Sequence, residues 1–592
     1  MHMLTAIGAA VLLLAAPGAD AKPAARSYDG SGNNPLHSEW GAAHQPHARR
    51  LAAAYFQPTY AETRESPQIP GARALSNSVF GRTGSSHGGV DARVSELLMA
   101  WGQFVDHDVT LTNVEGRRRT YGVNKRASCP FSAAVRSAVV GAGDGLPVPA
   151  CDVTFDPRCL GNATLPFDAT TGTLVNGVTA WIDGSQVYGS SVAINDALRD
   201  PNDRALMRMS FANPLSLPEL AAVDPDGVVF DMANPVGVVN DTMLRGTGDV
   251  RGNENPMLTA LQTLFPREHN RYARELRRNS HAARDADELF EEARRWVIGL
   301  LQHITVDEYL PALLGTHGAL PAYHGFNATV DPAIDVAFAS ALFRFGHSQV
   351  GPVIHLNSGT HAHEVLLRDA FFRPGIVIDH YGVDAVLLGA AEHPAQLADL
   401  SVVDELRNVL FTNGSSVIIG AGEGAGGTDL MALNIARGRL HGVPTYAALR
   451  QAYGLSVPPH ITDIGGSLET SRVLAEQYPR GIVDVDALVG ALAEPHVPGG
   501  CVGELLSAAI RDQFARFRDG DRHWWESGEH NVHWRNAVKR TALHDVIMKN
   551  RDPAGGVSHR MSKSVMMLSS ASTPVAAGYG LGVGCLVLAV VW

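Results

Sequence analysis

An apolar stripe at helical spacing runs directly into the octapeptide Trp101–Asp108, which carries four polar side chains within six positions. The stripe predicts an amphipathic helix over Val90–Thr110, because its apolar residues recur every three or four positions. These apolar residues are Val94, Leu97, Leu98, Trp101, Phe104 and Val105. The polar side chains near the end of this helix are therefore candidates for a functional site.

The polar residues of the octapeptide divide into two groups. Gln103, Asp106 and His107 stand at positions i, i+3 and i+4, so on a helix they share one face. Asp108 is rotated by about 100° from His107 and points closer to the apolar side. Taken alone, this spacing is also typical of a solvent-exposed helix face, so other segments must decide its meaning.

Helical periodicity extends over much of the chain. Further segments with a 3.6-residue period are Leu258–Asn279, Ala286–Tyr309 and Ile334–Gly346. Strand signals are brief, as at residues 417–420, and the loops are long and rich in Gly and Pro, notably residues 111–178. With 45% hydrophobic and 18% charged residues the chain can bury a large core. The expected fold is a mainly α, large single domain with long loops and little β structure.

Charge and cysteine content exclude several classes of protein. The net charge of −12 is mild for 592 residues, and no basic run or basic–aromatic pattern occurs, so nucleic acid is not an expected partner. Five cysteines are too few for a disulfide scaffold of this length. Cys129, Cys151 and Cys159 lie close together, and Cys151–Cys159 is one candidate bridge, although spacing does not fix the pairing. No Cys-x-x-Cys motif occurs, which excludes a zinc ribbon and c-type haem attachment.

The N-terminus has the features of a secretory signal. An apolar run over residues 6–16 precedes small residues, which predicts a signal peptide over 1–21 with cleavage after Ala21. Four glycosylation sequons agree with a secreted chain, although each is a common chance match. They begin at Asn162, Asn240, Asn327 and Asn413.

The C-terminus raises a second targeting question. We assign residues 22–550 to the main domain and 551–592 to a tail whose last part, Val575–Trp592, is apolar and uncharged. Small residues at 569–572 precede it, which resembles the signal for a GPI anchor, in which the tail is removed. A membrane-spanning tail and an unanchored apolar terminus remain alternatives. The expected location is secreted or on the extracellular surface, with lipid anchoring of the tail as one route to the membrane.

A group of oxygen-bearing residues predicts a cation site. Thr179, Asp183 and Ser185 alternate with a main-chain carbonyl at Trp181, and Asp108 could complete the shell. Ligation by oxygen alone, without His or Cys, suits Ca²⁺. The same alternation is also typical of an ordinary turn and strand.

Four other segments carry side chains with catalytic potential. They are Arg251–Pro256, Arg267–Arg271, Phe343–His347 and Asn434–Arg439. Arg251 and Glu254 are three residues apart at a predicted helix start, and an arginine in a dry site could stabilise a developing anion. Each segment also has an ordinary structural interpretation, since a His among aromatic residues is more often a core residue than a ligand.

Together these motifs resemble the animal-type haem peroxidase family. The resemblance extends from about residue 27 to residue 526, and its motifs occur in the order of the family. They are Trp101–Asp108, Thr179–Ser185 followed by Val187–Gly189, Arg267–Arg271, Phe343–His347 and Asn434–Arg439. One such motif is weak evidence, whereas five in order are specific.

The resemblance implies roles for the residues on both sides of a haem. His107 matches the distal histidine, Arg251 the distal arginine, and Gln103 the glutamine that holds water or halide above the iron. His347 matches the proximal axial ligand of the haem iron. Asn434 matches the hydrogen-bond partner of the second ring nitrogen of that histidine.

Other matches concern cofactor attachment. Asp106 and Glu254 match the carboxylates that form ester bonds to haem b, and Arg344 and Arg437 are placed to hold its propionates. The resemblance also implies a calcium site. Its ligands are Asp108, Thr179, Trp181 through its carbonyl, Asp183 and Ser185.

The implied activity is a peroxidase that uses hydrogen peroxide to oxidise halides, pseudohalides, phenols and other small reductants. Asn255 departs from the pattern, because some members carry a methionine there that forms a third haem link. This departure argues against efficient chloride oxidation. Two alternatives are a fatty-acid dioxygenase and an adhesive, peroxinectin-like protein. The first needs a Tyr just before the proximal histidine, where Phe343–Gly346 has none, and the chain has no Arg-Gly-Asp for the second.

Overall fold

Helices are the main regular elements of this structure, which is a computed structural model. It describes residues 25–52, 70–81, 89–112, 174–227, 229–234, 239–279, 284–358, 362–408, 410, 429–553 and 561–568. Within these ranges the strands form only two-stranded antiparallel ribbons, in which β1 (Gln45–Pro46) pairs with β3 (Val175–Asn176), β2 (Val90–Ser95) with β6 (Pro394–Gln396), and β4 (Val353–Asn357) with β5 (Ala362–Leu366). The expected class, mainly α with little β, is confirmed.

The helices are numbered in chain order. They are α1 (Ala72–Leu75), α2 (Glu96–Val109), α3 (Ser185–Tyr188), α4 (Val192–Leu198), α5 (Leu220–Val223), α6 (Pro256–Asn279), α7 (Ala286–Ile304), α8 (Leu310–Leu314), α9 (Val336–Ser340), α10 (Leu367–Ala370), α11 (Pro374–Tyr381), α12 (Val383–Glu392), α13 (Asp404–Arg407), α14 (Leu430–Leu440), α15 (Tyr446–Ala452), α16 (Leu468–Gln477), α17 (Ala487–Ala493), α18 (Glu504–Asp519), α19 (Val532–Lys539) and α20 (Leu543–Asn550). Short segments of 3-10 or π geometry are Ser76–Phe80, Asp241–Met243, Thr305–Tyr309, Gly315–His317, Leu342–Gln349, Ile461–Asp463 and Ile482–Asp484.

The helix predicted over Val90–Thr110 is wrong in its first part. Residues 90–95 form strand β2, and α2 begins only at Glu96. Distant segments hold this strand: β6 pairs with it, and the backbone N–H of Ser95 donates to the carbonyl of Met566 at 3.1 Å. The partners of residues 90–95 are far away in sequence, and local periodicity does not detect such partners. The apolar pattern of the helix therefore extends back over the strand without a visible break.

Aromatic packing fixes the rotation of α2 about its axis. The rings of Phe104 on α2 and Phe265 on α6 stack with centroids 5.4 Å apart, and Trp101 meets Phe265 edge-on at 5.8 Å. The indole N–H of Trp101 also donates to Oγ1 of Thr305 at 3.2 Å. Aromatic pairs of this kind add about 0.5–1.5 kcal/mol beyond the burial of their surface. With the apolar face anchored in the core, the opposite face of α2 is directed at a cavity.

The segment that carries His347 is not the continuous helix predicted over Ile334–Gly346. Helix α9 ends at Ser340, the backbone turns at Ala341 (φ −138°, ψ −64°), and residues 342–349 continue as a 3-10 helix. A 3-10 helix has three residues per turn, so side chains three positions apart are aligned. Arg344 and His347 consequently point to the same side and line one cavity.

The two long helical predictions after residue 256 are confirmed. Helix α6 starts two residues before the predicted Leu258, and the segment predicted to end at Tyr309 consists of α7 and a final π turn. Pro256 occupies the first position of α6, where its missing N–H costs nothing. Asn255 caps this helix, because its Oδ1 accepts from the backbone N–H of Leu258 at 3.0 Å.

Residues 561–568, assigned to the tail from the sequence, lie against β2. The N–H of Leu568 donates to the carbonyl of Arg93 at 2.9 Å, and Val565 and Met566 are buried. Among the described residues, no helix is both apolar and long enough to span a membrane. The predicted signal peptide, the Cys129–Cys159 cluster, the strand at 417–420, the sequons at Asn162 and Asn413, and the tail from residue 569 lie outside the described ranges.

Candidate active site

One cavity brings together most of the predicted site residues. It holds about 1060 Å³ of empty space, part of it open to solvent. Its polar lining consists of Gln103, Asp106, His107, Arg251, Glu254, Asn255, Arg344, His347, Gln349 and Arg437. Its apolar lining includes Met99, Tyr309, Phe343, Phe345, Val350, Leu367, Phe371, Leu406, Leu410 and Leu430. Such a mixed lining suits a largely apolar ligand that also carries charged groups.

Three polar residues of helix α2 line this cavity from the face predicted for them. Gln103, Asp106 and His107 all line it, whereas Asp108 is fully buried on another side of the helix. The predicted division of the octapeptide into two groups is therefore confirmed by the positions of these side chains.

Arg251 reaches the cavity from a tight turn before α6. Arg251 and Glu254 are neighbours as anticipated, but through this turn rather than a helix, and the N–H of Glu254 donates to the carbonyl of Arg251 at 3.0 Å. The guanidinium donates from Nη2 to the carbonyl of Thr110 at 2.9 Å, which ties it to the end of α2. Its Nη1 lies 3.8 Å from Oδ2 of Asp106.

The carboxylate of Asp249 binds Arg251 and lies close to His107. Its Oδ1 accepts from Nε and from the backbone N–H of Arg251, each at 2.8 Å, and its Oδ2 accepts from Nη2 at 2.7 Å. The same Oδ1 lies 3.5 Å from Nδ1 of His107. Asp249 was not among the predicted site residues. The Asp-x-Arg spacing was visible in the sequence, but it acquires meaning only through the turn that folds it towards α2.

A chain of amide and carboxyl groups crosses the cavity from α2 to the start of α6. The side-chain N–H of Gln103 donates to Oε2 of Glu254, and Asn255 donates to Oε1 of Gln103 at 2.8 Å. The nitrogen and the oxygen of the Gln103 amide thus both form hydrogen bonds. Asn255, which the sequence marked only as a departure, turns out to orient this glutamine.

His347 is paired with Asn434 on the other part of the lining. The amide nitrogen of Asn434, on α14, lies 2.7 Å from Nδ1 of the imidazole. Oδ1 of Asn434 is buried and has no hydrogen-bond partner among the described residues. A ring that binds a metal through Nε2 carries its proton on Nδ1. A half-turn of the amide then presents Oδ1 as the acceptor of that proton.

Two arginines accompany this histidine. Nη1 of Arg344 lies 3.7 Å from Oδ2 of Asp106, and its Nε donates to the carbonyl of Ala339 at 2.9 Å. Arg437 is one turn after Asn434 on α14 and also lines the cavity. These two cationic residues suit a ligand that carries anionic groups.

The electrostatics of the cavity keep both imidazoles neutral. Burial and then the charge of Arg251 hold the pKa of His107 well below its usual range, although Asp249 acts in the opposite direction. Burial, followed by the charges of Arg344 and Arg437, lowers the pKa of His347 to about 3. Each ring can therefore offer a free nitrogen, one as a base and one as a ligand.

The two carboxyl groups of the cavity are shifted towards their neutral forms. Burial raises the pKa of Glu254 to about 7, against the opposing charge of Arg251. Burial also raises the pKa of Asp106, with Arg344 acting against it. Oδ1 of Asp106 is buried without a hydrogen-bond partner in the described structure. The cavity therefore favours an uncharged form of both groups.

The predicted cation ligands also lie together, on the far side of α2. The N–H of Ser185 donates to Oδ1 of Asp108 at 2.7 Å, and that of Gly184 donates to Oδ2 at 3.1 Å. Oγ1 of Thr179 donates to Oδ1 of Asp183 at 2.9 Å. Gly184 has a positive φ of 75°, a conformation that favours glycine, and the N–H of Ser185 also donates to Oδ1 of Asp183 at 3.2 Å.

The two carboxylates of this group, Asp108 and Asp183, are buried and interact with each other. Burial and then the charge of Asp183 raise the pKa of Asp108 well above its usual range, and burial raises that of Asp183 to about 6. Oδ2 of Asp183 is buried and has no hydrogen-bond partner among the described residues. Carboxylate oxygens without a hydrogen-bond partner are the kind of donor that Ca²⁺ prefers.

Close backbone contact connects this segment to the turn that carries Arg251. A Cβ atom at Gly248 would lie 2.5 Å from the carbonyl oxygen of Ser185 and 2.6 Å from the nitrogen of Gly189. No side chain can occupy position 248 without separating the two segments. The turn bearing Asp249 is thus pressed directly against α3.

A neutral imidazole able to bind iron, together with guanidinium groups in a partly apolar cavity, is the typical arrangement of a haem-binding protein. Comparison with known proteins agrees with that class. Residues 25–565 match the animal haem peroxidase family, so the chain belongs to this family and is a haem-binding peroxidase.

Individual relatives support the assignment. Peroxinectin A of Dictyostelium discoideum is 31% identical over 526 residues, which cover 85% of this chain and 89% of that protein. Myeloperoxidase of Mus musculus is 32% identical over 570 residues, or 89% of this chain and 74% of that protein. The chain spans only 59% of thyroid peroxidase of Sus scrofa and 34% of peroxidasin of Drosophila melanogaster.

Solved structures give the same fold. Peroxidase A from Dictyostelium discoideum superposes with a TM-score of 0.74 at 28% identity, over 92% of this chain and 100% of that chain. A fatty acid alpha-dioxygenase from Arabidopsis thaliana reaches a TM-score of 0.67 at 18% identity, over 92% of this chain and 83% of that one. At that identity the second likeness concerns the fold alone.

Proposed function

We propose that this peroxidase holds haem b between His107 and Arg251 on one side and His347 with Asn434 on the other. The observation that carries the proposal is that these four side chains line, or directly contact the lining of, a single cavity. When bound, the haem iron supplies the redox centre at which hydrogen peroxide is cleaved.

His107 would act as the acid–base group for the peroxide. Its ring is buried and neutral, so Nε2 can accept a proton from one peroxide oxygen and return it to the departing oxygen. Arg251 lies beside it and would stabilise the negative charge that develops as the oxygen–oxygen bond breaks. Gln103 would hold water or a small anion in the same space.

Asn434 would tune the basicity of His347, which would bind the haem iron. A hydrogen bond from Nδ1 of His347 to the amide oxygen increases the basicity of Nε2 and strengthens its donation to the iron. Arg344 and Arg437 would bind the haem propionates, because both line the cavity with guanidinium groups.

Asp106 and Glu254 would form the ester bonds to haem methyl groups. Support comes from the unpartnered Oδ1 of Asp106 and from the raised pKa values of both carboxyl groups. An ester carries no charge, so the bond removes the cost of burying two anions.

Calcium would occupy the site formed by Asp108, Thr179, the carbonyl of Trp181, Asp183 and Ser185. Ion binding would neutralise the buried carboxylates and fix the end of α2 next to His107. The substrates would be halides, pseudohalides, phenols or other small reductants that enter the open part of the cavity.

Secretion and surface attachment belong to the same proposal. The sequon residues Asn240 and Asn327 are exposed, and each accepts from the N–H of the threonine two residues later at 3.0 Å. Exposed Asx turns of this kind are accessible to glycosylation. The signal peptide over residues 1–21 and attachment through the tail rest on sequence alone.

Replacement of His107 tests the proposed roles. The variant His107→Ala should keep its Soret band, because His347 and the ester bonds still hold the haem, and should react with peroxide about 10²–10⁴-fold more slowly in stopped-flow measurements. His380→Ala, an exposed histidine outside the cavity, serves as the control and should react normally. An unchanged rate in His107→Ala would show that the distal assignment is wrong.

A further inference from the structure

We infer that Asp249 is a positioning residue that keeps the proton of His107 on Nδ1 and so leaves Nε2 free to accept a proton from the peroxide. The inference rests on the proposed role of His107 as the acid–base group. Nδ1 of His107 is buried and has no hydrogen-bond partner among the described residues.

Asp249 is the charged group placed to meet this nitrogen. The carboxylate is 2% exposed, and its Oδ1 lies 3.5 Å from Nδ1 of His107. This separation exceeds a normal hydrogen bond, but bonds between catalytic groups commonly tighten once a ligand is bound. A neutral imidazole bears one proton, and an adjacent carboxylate makes Nδ1 its preferred position.

Arg251 keeps Asp249 ionised and correctly oriented. The guanidinium and the backbone N–H of Arg251 together donate three hydrogen bonds to the carboxylate, of 2.7 to 2.8 Å. Burial alone would raise the pKa of Asp249, but the charge of Arg251, the nearby His107 and the hydrogen bonds from Arg251 together outweigh burial and hold the pKa below its usual range. An anion is therefore available beside His107 throughout the physiological pH range.

The turn leaves the carboxylate little freedom to move. Oγ1 of Thr247 donates to the backbone carbonyl of Asp249 at 2.7 Å, and Gly248 lies in direct contact with the backbone of α3. Oδ1 of Asp249 accepts hydrogen bonds from Arg251 and also lies near Nδ1 of His107. The Asp249 side chain therefore sets the relative position of both groups.

The variant Asp249→Asn tests the inference. An asparagine keeps the shape, but its N–H can donate to Nδ1 and thereby move the ring proton to Nε2, which blocks the base. Hydrogen cyanide must lose its proton to bind ferric haem, so its binding rate, followed by the Soret shift, reports on His107 without any turnover. We expect cyanide binding and the peroxide reaction to slow by about 100-fold or more, with haem content unchanged.

The chain contains a matched control. Asp91 accepts from Nε, Nη2 and the backbone N–H of Arg93 with the same two-residue spacing, but on β2 and outside the cavity. Asp91→Asn should therefore leave the cyanide rate unchanged. Asp249→Glu, which retains the carboxylate, should bind cyanide at least about tenfold faster than Asp249→Asn. If Asp249→Asn fails to take up haem, Asp249→Glu is compared with Asp249→Ala instead.

Two results would overturn the inference. One is a cyanide rate in Asp249→Asn within about threefold of the wild type. The other is a double variant, His107→Ala/Asp249→Asn, whose cyanide rate falls as far below that of His107→Ala as the rate of Asp249→Asn falls below that of the wild type. A residue that acts through His107 should have little further effect once the imidazole is gone. A normal peroxide rate in His107→Ala would instead refute the proposed function itself, so the two failures are distinguishable.

Discussion

The side-chain amide of Asn255 donates to Oε1 of Gln103 at 2.8 Å while its own Oδ1 caps helix α6 through the N–H of Leu258. One residue thus fixes both the start of α6 and the orientation of the amide above the proposed haem site. The position at which some family members form a third haem link serves here as a hydrogen-bonding bridge.

Replacing Asn255 should separate these two roles. Asn255→Ser retains a capping oxygen but is too short to reach Gln103, whereas Asn255→Met loses both contacts. We expect bromide affinity, measured by Soret titration, to change by about fivefold in both variants, which corresponds to the ~1 kcal/mol of one hydrogen bond. Thermal stability should fall further in the methionine variant. Unchanged bromide affinity in both would mean that Gln103 keeps its orientation without Asn255.

The ester bonds can be tested by extraction. Acidified butanone should leave the haem attached to the wild-type protein and should strip it from the double variant Asp106→Asn/Glu254→Gln, because neither amide can form an ester. Each single variant should retain its haem through the remaining bond. Complete extraction from the wild-type protein would exclude both esters.

Removal of calcium should destabilise the protein. Calcium at one hundred times its Kd adds about 2.7 kcal/mol to folding, so exhaustive chelation should lower Tm and slow the peroxide reaction. Elemental analysis should find calcium in the wild type and none in Asp183→Asn. The control is Asp196→Asn on α4, a carboxylate with 59% side-chain exposure. Equal calcium content in the Asp183 and Asp196 variants would contradict the site.

Acid should destabilise the fold through His269. Burial lowers the pKa of this histidine to about 3, and its ring contacts Tyr188 at 2.9 Å and the carbonyl of Ala205 at 3.2 Å. The unfolded chain binds this proton near pH 6.5 and the folded chain does not, so stability is complete above pH 6.5 and falls as the pH is lowered. The slope is at most about 1.4 kcal/mol per pH unit.

The measurement is Tm between pH 7.5 and 5 for the wild type and for His269→Gln. The glutamine variant starts from a lower Tm, because it loses buried contacts, but its Tm should depend less steeply on pH. Parallel curves for the two proteins would show that His269 is not a source of acid sensitivity.

Local patterns predicted the cavity face of α2 because three residues at helical spacing suffice to define a face. The same patterns failed at Val90–Ser95, where the partners are Pro394–Gln396 and Met566. Asp249 was missed for a related reason. Its importance depends on a turn and on contact with α3, and neither leaves a periodic signal.

The contact at Gly248 has a mechanical consequence. His107 is bonded covalently to Asp108, and Arg251 belongs to a turn that rests on α3, so both groups take their positions from the segment Thr179–Gly189. A displacement of that segment would carry the histidine and the arginine together rather than apart. We therefore expect the distance between the two groups to change little when this segment moves relative to the rest of the chain.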